Sequence, residues 1–133
     1  MKAQIKLTHT WHKIFGRMGH IVSTKPTTID QKTAQARVDF IKSELDEYLT
    51  ANKEGNLVGV LKEITDILYF VFGTVVIHGL GKYMIYAFDI VHRSNMSKKT
   101  EFGDVLYDKE TGKVLKPDNY KKAEPELEEL LKG

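Results

Sequence analysis

The chain has 133 residues, and 20 lysines and arginines against 18 aspartates and glutamates leave a formal net charge of +2. This length predicts one domain, with a core large enough to need no disulfide or structural metal. The absence of cysteine excludes disulfide scaffolds, Cys-ligated zinc, iron–sulfur clusters and thiol nucleophiles.

The charge is unevenly distributed along the chain. Residues 1–42 carry a net charge of +6, whereas residues 43–66 carry −4. An acidic segment beside basic ones is typical of a cation site next to an anion site, although it is more often a solvated surface. Charge alone leaves both interpretations open.

No targeting or membrane-spanning segment is expected. The first ten residues lack the apolar stretch of a signal peptide. The most apolar run, residues 67–77, is 11 residues long, whereas a membrane span needs about 20. We therefore expect a cytoplasmic protein in which residues 67–77 form a buried helix.

The spacing of apolar residues predicts two helices in the first half of the chain. From Trp11 to Met18 the apolar residues recur at helical spacing. Thr28 or Asp30 can then cap a long second helix, whose apolar stripe runs from Ala34 to Leu49 and which ends before Gly55.

Two further helices are expected beyond Gly55. The third runs from about Asn56 to His78 and is apolar nearly all round between residues 64 and 77. Such a helix must be covered on every side, which three other helices of so short a chain can hardly do, so we expect it to pack against a partner subunit. The fourth helix, about Lys82 to Asn95, is expected to direct four apolar residues inward: Met84, Ile85, Phe88 and Val91.

Residues 99–133 differ in character from the helical part. Residues 105–107 and 113–115 flank a turn and predict a short hairpin, and residues 124–131 predict a last helical turn or two. The predicted fold class is all-α: a four-helix bundle at 1–98 completed by oligomerisation, and a short C-terminal arm at 99–133 that can hold a β-hairpin. A single domain is expected over 1–133.

Four carboxylates are placed to converge across the hairpin of the second and third helices. Glu44 and Glu47 share one helical face, as do Glu63 and Asp66. Glu47 and Glu63 each lie eight residues from Gly55, and Glu44 and Asp66 each lie eleven. Because a helix rises about 1.5 Å per residue, each such pair stands at a matching height.

Converging carboxylates beside apolar neighbours are costly unless their charge is neutralised. The two helices offer only Lys53 and Lys62 nearby. A hard divalent cation such as Mg²⁺ or Mn²⁺, which takes oxygen ligands, is the better solution. The alternative is an ordinary solvated helix face, and the residues alone leave the two interpretations balanced.

Two basic stretches are candidates for phosphate binding. Residues 91–98 (VHRSNMSK) concentrate Arg, Lys, Ser and Asn at a helix end, and residues 113–120 (KVLKPDNY) carry two lysines. Arg and Lys are natural partners of phosphate. Helix termination and a solvated arm account for the same residues, and on the residues alone we prefer that explanation.

These segments resemble a known family. Residues 40–47 (FIKSELDE) followed by 63–69 (EITDILY) are similar to the ExxE…ExxD signature of the MazG-like all-α nucleoside triphosphate pyrophosphohydrolases. One branch, called phosphoribosyl-ATP pyrophosphohydrolase-like or Cof-like, is resembled further by WHKIFG at 11–16, by VHRSNMSK, and by GKVLK at 112–116.

The resemblance implies a homo-oligomer, dimer or tetramer, that uses Mg²⁺ (or Mn²⁺) to hydrolyse a nucleoside triphosphate to the monophosphate and pyrophosphate. The expected setting is a bacterial or phage-infected cell, and dGTP is the first substrate to test. The implied catalytic and metal-binding residues are Glu44, Glu47, Glu63 and Asp66, the phosphate contacts are Arg93, Asn95, Lys98, Lys116 and Tyr120, and the nucleobase contacts are Trp11, His12 and Phe15.

The chain departs from the family pattern at Ser43. Many relatives carry a glutamate at this position, directly before the first glutamate of ExxE, where it can orient or deprotonate the attacking water. Its replacement by Ser43 leaves open which group acts as the general base.

Two alternatives to this function remain open. The first is hydrolysis of phosphoribosyl-ATP itself, which shares the metal chemistry. The second is a non-catalytic helical oligomer that binds a nucleotide or nucleic acid through its basic N-terminal third. Nucleic acid is the weaker alternative, because the first helix presents Trp11, Ile14, Phe15 and Met18 instead of a row of basic residues.

Overall fold

The computed structural model describes residues 1–133, and the fold is all-α, as predicted. The helices are α1 (Lys2–Phe15), α2 (Gln31–Lys53), α3 (Leu57–Ile77), α4 (Met84–Met96) and α5 (Glu124–Lys132), with a 3₁₀ turn at Gly81–Tyr83. They belong to two compact units, Met1–Lys82 and Tyr83–Gly133. No helix combines the length and the apolarity that a membrane span requires. The domain assignment over 1–133 stays a prediction.

A tight turn joins α2 and α3 into a hairpin. The backbone N–H of Thr33 donates to Asp30 Oδ1 over 2.8 Å, which makes Asp30 the cap of α2. At the other end, Gly55 adopts φ +67°, a value that favours glycine. Asn56 Oδ1 then accepts from the N–H of Gly59 over 2.9 Å and caps α3. The three-residue connection makes the two helices antiparallel neighbours.

The face of α2 that meets α3 is polar and aromatic, not the apolar stripe of the sequence. Arg37 is buried there, and the rings of Phe40 and Phe70 stack with centroids 5.3 Å apart. Val38 and Leu49, which belong to the apolar stripe, are exposed. The stripe therefore leaves an apolar surface on α2 outside the hairpin contact.

The face of α1 that packs on α3 is also largely polar. Its buried residues, Ile5, Thr8 and His12, recur at helical spacing. Trp11, Ile14 and Phe15 are exposed, and α1 ends at Phe15 instead of continuing to Met18. The apolar residues of α1 thus lie outside the helix–helix contact.

In the Tyr83–Gly133 unit the prediction for the inward face of α4 was wrong. Phe88 and Val91 are exposed, whereas Ile90 and Ser94 are buried. The physical reason is that the Ser94 hydroxyl donates to the backbone carbonyl of Lys121 over 2.7 Å, which fixes that face against the arm. Ile85 is also exposed, whereas Met84 is half-buried.

The C-terminal arm contains only the beginnings of the predicted hairpin. Tyr107 and Val114 form a single antiparallel bridge. The N–H of Asp108 donates to the carbonyl of Lys113 over 2.8 Å, while Asp108 Oδ1 caps the turn by accepting from Thr111 N over 2.9 Å. Because the pairing does not extend beyond this bridge, no regular strand forms.

Candidate functional site

Residues at equal sequence distance from Gly55 face each other along the α2–α3 hairpin. Phe40 and Phe70, each fifteen residues from Gly55, have stacked rings. Further along, a Cβ added to Gly73 would lie 2.6 Å from Nη2 of Arg37. The predicted carboxylates lie closer to the turn and follow the same register: Glu47 and Glu63 at eight residues from Gly55, and Glu44 and Asp66 at eleven.

Three of the four predicted carboxylates meet at one point. Glu44, Glu63 and Asp66 each offer a carboxylate oxygen, and these atoms all lie within 4.8 Å of one another. Glu63 is only 9% exposed. The fourth, Glu47, lies at the exposed edge of this cluster and interacts electrostatically with Glu44 and Glu63. We call Glu44, Glu63 and Asp66 the carboxylate cluster.

The carboxylate cluster is incompletely neutralised. Lys62 Nζ lies 2.7 Å from Asp66 Oδ2 and 3.3 Å from Glu63 Oε1, at the exposed side of the cluster. On the inner side, Oε2 of Glu44 and Oε2 of Glu63 are buried without a hydrogen-bond partner. Buried polar atoms of this kind are rare, because each costs free energy unless a partner satisfies it.

The shared environment separates the acidities of two cluster members. Hydrogen bonding to the Glu63 carboxylate raises the pKa of Glu44 to about 7, with further contributions from burial, Glu47 and Asp66. The pKa of Glu63 is lowered instead, because Glu44 acts as its hydrogen-bond partner and Lys62 adds positive charge. Without a cation and below about pH 7, Glu44 therefore keeps its proton next to the ionised Glu63.

The donor set of the carboxylate cluster fits a hard divalent cation. All the converging atoms are carboxylate oxygens, the ligands that Mg²⁺ and Mn²⁺ prefer. The two unpartnered oxygens of Glu44 and Glu63 are the atoms that such an ion would satisfy. The choice of all four carboxylates as metal ligands stays a prediction, and the structure supports it most directly for these two.

A cavity of about 670 Å³ extends from the carboxylate cluster between α1, α2 and α3. Its walls are mainly aromatic and its two ends are polar. It is lined by Trp11, His12, Phe15, Gly16, Arg17, Met18, His20, Arg37, Phe40, Glu44, Asp66, Tyr69 and Phe70. The three predicted nucleobase contacts, Trp11, His12 and Phe15, all line this cavity. The ring centroids of Trp11 and Phe15 are 5.1 Å apart.

Arg37, at the end of the cavity away from the carboxylate cluster, was not among the residues predicted from the sequence. This residue is 5% exposed and has no carboxylate partner. Its Nε donates to Thr74 Oγ1 over 3.0 Å, and its Nη2 donates to the Phe70 carbonyl over 2.8 Å. Burial lowers the pKa of Arg37, which nevertheless remains a cation. The sequence did contain a signal for its location. Arg37 lies eighteen residues before Gly55 and Gly73 lies eighteen after it, so the hairpin register places the two opposite each other.

The predicted phosphate contacts all lie in the Tyr83–Gly133 unit. Arg93 is engaged there, since its Nη2 lies 2.8 Å from Glu126 Oε2 and its Nε lies 3.1 Å from Asp89 Oδ2. Lys116 Nζ lies 5.1 Å from the centre of the Tyr120 ring. Asn95 at the end of α4 is exposed, and Lys98 follows the helix, half-buried. The phosphate-binding role of these five residues stays a prediction.

The motif around Ser94 has a structural use. Ser94 Oγ donates to the Lys121 carbonyl and can accept from the Tyr120 hydroxyl, whose Oη lies 3.1 Å away. The N–H of Lys121 donates to Ser97 Oγ over 2.9 Å, and Asn119 Nδ2 donates to the Lys99 carbonyl over 2.7 Å. The serines and Asn119 thus fasten the arm to the end of α4.

Comparison with known proteins places the chain in a family. No curated protein matches it. The model of the phosphoribosyl-ATP pyrophosphohydrolase family matches residues 12–95, a range that contains the carboxylate cluster, every cavity-lining residue except Trp11, and α4 up to Asn95. This match covers more than half of the 133 residues, and the chain therefore belongs to the phosphoribosyl-ATP pyrophosphohydrolase family.

Proposed function

We propose that the protein is a Mg²⁺-dependent pyrophosphohydrolase of nucleoside triphosphates. It would convert a ribo- or deoxynucleoside triphosphate and water to the monophosphate and pyrophosphate. Family members are pyrophosphohydrolases that act on phosphoric anhydrides. The observation that carries the proposal is the carboxylate cluster, with two buried unpartnered oxygens, at one end of an aromatic cavity.

Glu44, Glu63 and Asp66, with Glu47 at their edge, would hold the ion. When bound, Mg²⁺ or Mn²⁺ supplies charge stabilisation for the phosphoryl oxygens and makes the attacking water more acidic. By placing four carboxylates on two rigid helices, the protein would fix the position of the cation and so the place where the triphosphate charge is neutralised. This chain has Ser43 at the position where many relatives carry the glutamate that can deprotonate the water. Glu47 is exposed and lies outside the group of three close oxygens, so it is the carboxylate best placed to accept that proton instead.

The cavity supports an aromatic occupant next to the carboxylate cluster. Trp11, Phe15 and Tyr69 provide ring faces or edges, with the Trp11 and Tyr69 centroids 6.4 Å apart. Aromatic walls with a few polar groups are the usual lining of a small-molecule site. A nucleotide would place its base among these rings and its phosphates at the cluster. Arg93, Lys98 and Lys116 stay the contacts to pyrophosphate that the family resemblance suggests.

A second copy of the chain is the proposed partner of the exposed apolar surface. On α3, an exposed stripe recurs at spacings of four and three residues: Leu57, Leu61, Ile64 and Leu68. On α2, Leu45 and Leu49 are exposed as well. An apolar surface of this extent is unusual for a monomer. A dimer or tetramer would cover it.

The test is a panel of nucleoside triphosphates assayed with Mg²⁺ for monophosphate and pyrophosphate. We expect hydrolysis of at least one triphosphate, with dGTP as the first substrate, and no pyrophosphate release when the metal is chelated. Phosphoribosyl-ATP belongs in the same panel, because the family is named after its hydrolysis. Turnover of that compound alone would favour this alternative over the proposal.

The same preparation separates the enzyme from a non-catalytic binding protein. Binding of duplex nucleic acid with a steep dependence on salt, and no Mg²⁺-dependent turnover of any nucleotide, would contradict the proposal. The net positive charge of residues 1–42 favours a nucleic-acid-binding protein. Such a protein, however, would have no use for the buried, unpartnered carboxylate oxygens of the cluster.

Metal affinity is expected to depend on pH. Since the pKa of Glu44 is raised to about 7 from its ordinary value of 4.5, a proton occupies the cluster below pH 7 and must leave when Mg²⁺ binds. The apparent Mg²⁺ affinity should fall up to about tenfold per pH unit as the pH decreases from 7 to 5, and change little above pH 8. Calorimetric titration at several pH values measures this.

The pH dependence of stability provides the matching control. A raised pKa in the folded state contributes stability that is present below pH 4.5 and lost as the pH rises through about 7. The metal-free protein should therefore lose stability as the pH rises from about 4.5 to about 7, and Mg²⁺ should restore stability above pH 7. In Glu44→Gln the pH dependence should flatten. An equal Mg²⁺ affinity at pH 6 and pH 8 in the unmodified protein would contradict the prediction.

A further inference from the structure

The end of the cavity farthest from the turn holds a buried cation with unused donors. A guanidinium has five N–H groups. In Arg37, three of the five N–H groups have partners: Thr74 Oγ1, the Phe70 carbonyl and, at 3.4 Å, His20 Nδ1. Two N–H groups remain, although Arg37 is only 5% exposed and lines the cavity. Buried donors without partners are costly, so they indicate a ligand that accepts hydrogen bonds.

His12 presents the opposite kind of group at the same place. Its Nδ1 lies 3.0 Å from the carbonyl of His20. A carbonyl only accepts, so Nδ1 carries the proton and Nε2 has a free lone pair. Burial lowers the pKa of His12 and Arg37 lowers it further, which keeps the ring neutral. Nε2 is therefore a hydrogen-bond acceptor on the cavity wall.

Gly73 brings these two groups together. A Cβ at this position would stand 2.6 Å from Arg37 Nη2 and 2.6 Å from His12 Nε2. Both nitrogens thus occupy the space that any other residue of α3 would fill. Glycine within a helix costs about 1 kcal/mol relative to alanine, and here it opens room for a donor and an acceptor side by side.

We propose that Arg37 and His12 recognise the base of the substrate through its lactam edge, a carbonyl next to a ring N–H. Arg37 donates to the carbonyl oxygen, and His12 Nε2 accepts from the N–H. This inference rests on the proposed function and names its substrate class: nucleotides of guanine, hypoxanthine, uracil or thymine. Adenine and cytosine present the inverse pattern, an amino group next to a bare ring nitrogen, so donor would face donor and acceptor would face acceptor.

The positions along α2 suit a nucleotide that spans the cavity. Arg37 lies seven residues before Glu44, which is two helical turns, or about 10 Å along the helix axis. Phe40 and Phe70 lie between the two levels. The base edge would meet Arg37, the base face would lie among the rings, and the phosphates would reach the carboxylate cluster. The second free N–H of Arg37 can donate to N7 of a purine, which favours guanine and hypoxanthine within the class.

The decisive experiment compares matched bases on the unmodified protein. ITP and ATP differ only at the recognised edge, and so do UTP and CTP. We expect kcat/KM for ITP to exceed that for ATP by at least about tenfold, and UTP to exceed CTP in the same direction. Equal values within each pair, with Mg²⁺-dependent hydrolysis intact, would overturn the inference and leave the proposed function standing. No hydrolysis of any triphosphate would overturn the proposed function itself.

A variant tests whether Arg37 is responsible. In Arg37→Met the ITP-to-ATP ratio of kcat/KM should fall towards one, a readout that a merely structural role would not move. Lys42→Met, the same loss of charge at an exposed residue of α2, should keep the ratio of the unmodified protein. If Arg37→Met does not fold, the comparison of ITP with ATP on the unmodified protein still decides. A folded Arg37→Met with an unchanged ratio would contradict the assignment.

Discussion

Replacing Glu63 by glutamine is expected to abolish Mg²⁺ binding and to lower kcat/KM for the best triphosphate by at least about a thousandfold. Glu63 is the most buried member of the carboxylate cluster, and its Oε2 has no partner within the protein. Glutamine keeps the size of the side chain but replaces one ligand oxygen by an N–H donor, which no cation can use. The loss should appear in metal titration and in pyrophosphate release alike.

The same variant should not be less stable than the unmodified protein without metal. At pH 8, where Glu44 is largely ionised, glutamine removes a charge that Glu44 and Asp66 repel, so the repulsion within the cluster decreases. Lys62 keeps its contact with Asp66 at 2.7 Å. Thermal unfolding with and without Mg²⁺ separates the two effects: the melting temperature without metal should be equal or higher, and the increase on adding Mg²⁺ should vanish.

Asp46→Asn is the matched control. Asp46 lies in α2 and is exposed, and it takes no part in the carboxylate cluster. This variant makes the same change of charge and should retain metal binding and turnover. Full activity of Glu63→Gln, or an equal loss in Asp46→Asn, would show that the cluster is not the metal site.

Much of the hairpin was predictable because one short turn fixes the register of two helices. Once Gly55 is identified as the turn, equal sequence distances give equal heights, and the proximity of Glu44 to Asp66 follows from the sequence alone. The same rule, continued outward, pairs Phe40 with Phe70 and Arg37 with Gly73. Arg37 was missed because a lone arginine in a basic segment is usually solvated, and only packing shows that it is buried.

The apolar stripes were harder to interpret. Sequence periodicity shows that a helix has an apolar face, but it does not show what that face contacts. In α1 and α2 the face towards α3 is occupied by Thr8, His12 and Arg37, while residues such as Ile14 and Leu49 are exposed. Phe88 of α4 was placed inward for the same reason and is exposed. Usually the apolar face of a helix is buried and the polar face is exposed. A polar site between helices reverses this arrangement, because its hydrogen bonds hold the polar face inward.

Gly73→Ala is expected to disrupt the donor–acceptor pair and with it the choice of base. The added Cβ would lie 2.6 Å from Arg37 Nη2 and from His12 Nε2, so both side chains must move. Arg37 would lose its charge-assisted hydrogen bond to the Phe70 carbonyl, a loss of about 1.5–3 kcal/mol. Alanine recovers about 1 kcal/mol through its higher helix propensity. The free energy of unfolding should therefore decrease by about 0.5–2 kcal/mol, and the preference for ITP over ATP should fall at least about tenfold.

A double-mutant cycle with Arg37→Met shows whether the clash is the cause. Methionine lacks the Nη2 atom that the new Cβ would meet. In that background only the clash with His12 Nε2 is left, so Gly73→Ala should cost less stability, and the two changes should couple by about 1 kcal/mol or more. Denaturant unfolding of the four proteins measures the coupling without any substrate. Strictly additive effects would mean that Gly73 does not make room for Arg37. A coupled cycle with an unchanged base preference would keep the packing explanation and remove Arg37 from base recognition.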